Sequence, residues 1–90
     1  MGKVRKTDVQ VRKTDVEAEE ARLMVRAAIE LEKAQRKARL STEALALRAG
    51  VPIKETEAVL EALTPLKLDT LVRLGQACGV FWDIRPLKRR

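Results

Sequence analysis

The side chains best suited to chemistry in this sequence are its cations, and they crowd the two ends. Lys3, Arg5, Lys6, Arg12 and Lys13 stand against Asp8 and Asp15 in residues 1–16, a net of +3. Arg85, Lys88, Arg89 and Arg90 give the last six residues +4. The formal net charge of the 90-residue chain is +6, so the 68 residues in between carry −1. Cations on arms grip phosphate without sequence preference. Charged termini can equally serve solubility alone. The basic excess therefore suggests phosphate-contacting arms around a nearly neutral body.

Other chemistries lack parts. There is no His, Tyr or Asn, one Cys (Cys78) and one Ser (Ser41). A zinc site of the Cys/His kind, a disulfide framework and a Ser-His or Cys-His pair cannot be assembled. The acids show no paired-carboxylate or metal-ligand spacing beyond ordinary helix surface charge, so neither enzyme activity nor a metal or cofactor is expected. Phe81 and Trp82 are the only aromatics, too few for a platform that stacks several unpaired bases. No apolar run nears the ~20 residues that cross a bilayer, so no membrane partner is expected. The opening Met-Gly-Lys-Val-Arg-Lys leads into no signal-like apolar segment, and a lone thiol suits a reducing compartment. The expected location is the cytoplasm.

The elements that must position these residues follow from periodicity. Val-Arg-Lys-Thr-Asp-Val occurs twice, at 4–9 and 11–16. Its valines make no heptad seam, and two units make no solenoid. Residues 8–12 alternate in polarity like a short strand, but a duplicated, flexible basic arm over residues 1–16 is the preferred expectation. The body spans 17–80 and a C-terminal strand and basic tail 81–90. With Thr14 or Asp15 as cap, a long first helix is expected from about Glu17 to Arg39, with Leu23, Ala27, Leu31, Ala34 and Ala38 as its apolar stripe. Met24, Val25, Ala28 and Ile29 widen that stripe in the first half, either for a partner or for a thicker core. Ser41 caps a two-turn helix that Gly50 stops. A third helix from about Pro52 to Leu63 would bury Thr56, Val59, Leu60 and Leu63, with Thr64-Pro65 as its break. A fourth would be capped by Asp69 and ended by Gly79, with Leu66, Leu68, Leu71, Val72 and Leu74 as the apolar set.

Two short helices joined through Ala49-Gly50-Val51 form a helix-turn-helix pattern. Residues 31–80 resemble the Cro and lambda-repressor type of helix-turn-helix domain, the XRE family. The resemblance lies in Leu40-Ser41-Thr42-Glu43-Ala44-Leu45-Ala46-Leu47-Arg48-Ala49-Gly50-Val51, then Pro65, Leu68-Asp69-Thr70-Leu71 and Cys78-Gly79-Val80, in register without a gap. Residues 59–84 are similar in pattern to the family's small antitoxins. The resemblance implies an all-α, five-helix domain that binds double-stranded DNA as a homodimer. It places Ile53, Lys54, Glu55 and Glu57 toward the major groove and Thr42 at phosphate or a base edge. Arg48 and Lys67 would assist, with the arms (Lys3, Arg5, Lys6, Arg12, Lys13, Lys88, Arg89 and Arg90) on the backbone.

The sequence departs from the family where bases would be read. Family members usually carry Ser, Arg, Gln, Thr or Asn there, whereas the third helix here sets Lys54 against Glu55, Glu57 and Glu61. Lys54 suits guanine or phosphate, and one glutamate can accept from cytosine N4. Three acids near phosphate repel. Two roles remain open: a DNA-binding transcriptional regulator, and a regulator of antiactivator or antitoxin kind whose acidic third helix takes a basic protein. Phe81, Trp82 and Ile84 lie on a β-prone segment. It would pair with its copy across a two-fold axis, pair with Val9-Gln10-Val11, or cap the domain's own core; the dimer is the preferred expectation. Cys78 is expected as a buried small hydrophobe.

Overall fold

A computed structural model describes residues 10–88. The described residues fold into four helices: α1 (Lys13–Ala38), α2 (Thr42–Ala49), α3 (Ile53–Leu60) and α4 (Leu68–Ala77). The all-α expectation is met. Among the described residues there is no strand and no fifth helix, and 80–88 run without regular structure.

The long helix starts four residues earlier than the sequence suggests. Its N-cap is Arg12, whose side chain makes no capping bond. Thr14 and Asp15, both good capping types, lie inside the first turn instead, and Asp15 pairs with Arg12 at 3.3 Å. Most of the second hexapeptide copy is therefore helix, not flexible arm, and Gln10-Val11-Arg12 is not a strand. The first copy lies outside the described residues.

All four described helices close with the same lock. One or two residues beyond the helix the chain enters the left-handed region, and the next N–H reaches back over the final turn. Leu40 donates to the Gln35 carbonyl at 3.1 Å, Val51 to Ala46 at 3.0 Å, Leu63 to Ala58 at 2.8 Å and Val80 to Gly75 at 2.9 Å. The pivots are Arg39, Gly50, Ala62 and Gly79, with φ of 57°, 71°, 56° and 82°. Only two are glycine, and the other two carry ~1–2 kcal/mol of backbone strain each. Ala62 explains why α3 ends three residues before Leu63. The break precedes Thr64-Pro65, and Leu63 is left exposed rather than buried.

The core is built from one side of each helix. Leu31, Leu45, Ala49, Val51, Val59 and Leu74 form its centre, with Leu40, Leu60, Leu66, Ala77, Cys78 and Trp82 packed around them. Leu31, Leu45, Leu74 and Thr56 are fully buried. The Thr56 hydroxyl donates to the Pro52 carbonyl at 3.1 Å, which removes the cost of burying it. Only the second half of α1 joins this core, through Ala27, Ala28, Leu31 and Ala34. Leu23, expected in the buried stripe, is exposed, as are Leu68 and Val72 of the expected fourth-helix set. Lys67, not Asp69, is the N-cap of α4. Asp69 sits in its first turn and pairs with Arg73 at 3.0 Å.

Candidate nucleic-acid interface

The candidate site is the α2–α3 pair. Ser41 caps α2, its hydroxyl oxygen accepting from the Ala44 N–H at 3.0 Å. Gly50 then turns the chain left-handed, Val51 buries, and Pro52 is the N-cap of α3. Three residues thus separate two eight-residue helices, and their packing fixes which α3 side chains face out. Thr56 and Val59 face the core, Ile53 and Ala58 are half-buried, and Lys54, Glu57 and Glu61 are exposed.

Glu55 is not free on that surface. Its carboxylate accepts from the Thr70 hydroxyl at 2.7 Å, a short charge-assisted bond that ties α3 to the first turn of α4. Glu55, expected toward a groove, is thus half-buried and engaged by a neighbouring helix. Lys54, Glu57 and Glu61 are the charged side chains that remain fully exposed on this surface. Thr70 is the residue that sequence reasoning missed. It was visible as part of Leu68-Asp69-Thr70-Leu71, but its partner lies 15 residues away.

Other expected site residues are divided. The Thr42 oxygen accepts from Gln35 Nε2 at 3.2 Å, which orients the hydroxyl at the α2 N-terminus and leaves its proton able to donate elsewhere. Arg48, at the opposite end of α2, donates to the Ala77 carbonyl at 3.4 Å. It neutralises the negative end of α4 rather than standing with Lys54. Lys67 is exposed and shares a small cleft with Gly50, Pro52, Glu55, Thr70 and Arg73. Lys54 and Lys67 take part in no ion pair among the described residues. Of the arm cations, Arg12 is paired with Asp15, Lys13 opens α1 and Lys88 is exposed. Lys3, Arg5, Lys6, Arg89 and Arg90 lie outside the described residues.

In the C-terminal segment Trp82 turns inward. Trp82 packs on the core of its own chain, and its indole N–H donates to the Leu71 carbonyl at 2.7 Å. Its ring lies over Gly75, where a Cβ would meet Trp82 Nε1 inside any allowed distance and Cδ1 at 3.0 Å. Phe81 and Ile84 remain exposed. Cys78 is half-buried, in a shallow groove with Arg48, Arg73 and Gln76. Burial raises its thiol pKa, against the pull of the Arg48 charge. Among the described residues no group of three or more His, Cys, Asp or Glu is placed to hold a metal ion. No described helix is long and apolar enough to cross a membrane.

No protein-family model matches the chain, and no curated protein or solved structure is detectably similar to it.

Proposed function

We propose that the chain is a DNA-binding transcriptional regulator that acts as a dimer, with α3 as the helix that enters the major groove. One observation carries this function: two eight-residue helices meet across the Gly50–Pro52 turn with α3 presenting the unpaired Lys54 outward. In this reading the four described helices would stand as a variant of the five-helix XRE arrangement, with the long α1 leading and the segment after Gly79 without regular structure. Lys54 would donate to guanine O6 and N7, Glu57 would accept from a cytosine amine, and Thr42 and Lys67 would hold phosphates. The arms would add affinity without preference. Two third helices would meet half-sites ~34 Å apart, and occupancy would block or recruit polymerase.

Selection from random duplex DNA at physiological salt tests this. A recovered palindrome supports it, and Lys54→Ala should then relax one position per half-site at a cost of ~1–3 kcal/mol. Uniform, salt-sensitive binding to every duplex would refute it.

A second function is favoured by the acids that remain. Glu57 of α3 and Glu61 at its C-cap lie one turn apart and exposed, a surface suited to a basic protein in an antitoxin-like role. Capture of a partner that is lost on Glu57→Lys/Glu61→Lys, without any DNA preference, would select it.

A further inference from the structure

The first turn of α3 has little of its own to hold it. Pro52 is the N-cap, and no side chain caps the helix. The Thr56 hydroxyl bonds back to the Pro52 carbonyl at 3.1 Å, within that same turn. Thr56 and Val59 are buried, and the helix packs on α1 and α2. Its backbone hardly approaches α4. Among the described residues a single side-chain hydrogen bond leaves α3 for another helix, the Thr70 hydroxyl donating to the Glu55 carboxylate at 2.7 Å. No ion pair among them does so.

Both partners are placed for this bond. Thr70 is buried in the first turn of α4, which no side chain caps. The free N–H groups and the dipole of such a turn favour a carboxylate beside it. Glu55 is half-buried, whereas Lys54 next to it is exposed. Successive side chains leave a helix ~100° apart, so holding Glu55 against α4 fixes the direction in which Lys54 leaves the surface. Releasing Glu55 would act twice. The first turn of α3 would lose its tie to α4, and a third free acid would join Glu57 and Glu61 where DNA phosphates approach.

We infer that Thr70 and Glu55 are a positioning pair: their bond holds the first turn of α3 so that Lys54 meets its base, and Glu55 itself reads none. The inference rests on the proposed DNA function and adds to it a residue, Thr70, that touches no DNA.

Competition titrations between the selected and a scrambled duplex, with hydrogen exchange of the free full-length chain, test it. Thr70→Val should lower the preference by roughly 5- to 150-fold per half-site, the scale of one good base contact. Its affinity for the scrambled duplex should stay as in the wild type. The Thr56 N–H, bonded to the Pro52 carbonyl at 3.0 Å, should exchange faster, and by a larger factor than the Leu45 N–H of α2. Thr70→Ser restores the hydroxyl and should restore the preference. Glu55→Gln still accepts from Thr70 and should select the same duplex. Glu55→Ala should lose what Thr70→Val loses, and the double variant no more than either. A Thr70→Val chain that keeps the preference overturns the inference and leaves the DNA function standing. So does a lost preference without the faster Thr56 exchange, or a Thr70→Ser chain no better than Thr70→Val. Selection of a different base by Glu55→Gln also overturns it, because the carboxylate would then be reading that base. A wild type with no preferred duplex sinks the DNA function, and the inference with it.

Discussion

Replacing Gly75 by alanine sets two effects of opposite sign against each other. Gly75 is buried inside α4, where Gly→Ala ordinarily stabilises a helix by ~0.5–1 kcal/mol. Here the new methyl would occupy the space of the Trp82 ring, with Cδ1 at 3.0 Å and Cε2 at 3.1 Å. The ring must leave. It then loses the hydrogen bond to the Leu71 carbonyl, which contributes ~0.5–1.5 kcal/mol. Its apolar contact with the core adds roughly 1.5–3 kcal/mol, on the scale of burying a large side chain. The losses exceed the helix gain, and a net destabilisation of about 1–4 kcal/mol follows. For a domain of this size that lowers Tm by roughly 4–30 °C. Trp82 is the sole tryptophan and there is no tyrosine, so the emission spectrum reports this one contact. Gly75→Ala should shift the emission maximum to the red and raise acrylamide quenching toward that of the unfolded chain. In a Trp82→Ala background the sign should reverse, with Gly75→Ala stabilising by ~0.5–1 kcal/mol. An unshifted emission maximum together with a raised Tm in the Trp82 chain would refute the packing of Trp82 on Gly75.

Three further outcomes follow from the local structure. Ala62→Gly should stabilise by ~0.5–1 kcal/mol in urea unfolding, because Ala62 holds a φ of 56° that glycine adopts without strain. Arg39→Gly should do the same, and a loss of stability at both would contradict the shared helix-end lock. Thr70→Val keeps the volume and removes the donor to Glu55, costing ~1.5–3 kcal/mol; a neutral result would mean that bond holds nothing together. The Cys78 thiol pKa is raised by burial, so the folded chain resists forming thiolate. Iodoacetamide should modify the folded protein near pH 8 more slowly than the urea-unfolded chain. The stability tied to this thiol is complete below its unfolded pKa and is lost as pH rises through the folded one. Equal alkylation rates would contradict the shift.

Much of the fold was legible because its signals are local. Ser41 and Gly50 bound α2 as their types require, Gly79 ends the turn after α4, and Leu31, Thr56, Val59 and Leu74 were read from periodicity and are buried. The misses have physical causes. The start of α1 carries no capping side chain, so Thr14 and Asp15 pointed to the wrong boundary. The end of α3 turns on an alanine in a glycine conformation, which no residue type announces. The two short helices of the candidate site and the turn between them were legible, the partners of their side chains less so. Glu55 was expected to face outward, whereas a hydroxyl 15 residues away donates to it. Arg48 similarly reaches a carbonyl 29 residues on. Trp82 was read as strand because its alternation is local, whereas its contacts with Leu71 and Gly75 are not. Side chains that close a fold over such separations leave no mark in a sequence window.

The central claim is that α3 reads sequence while the arms only hold phosphate. The direct measurement is a competition titration at physiological salt between the selected duplex and a scrambled duplex of equal length. The account predicts a preference of ~10³ or more for the selected site. Lys54→Ala should shrink that preference while leaving binding to the scrambled duplex nearly unchanged. Equal affinity for both duplexes, with a Lys54→Ala chain indistinguishable from wild type, would contradict it.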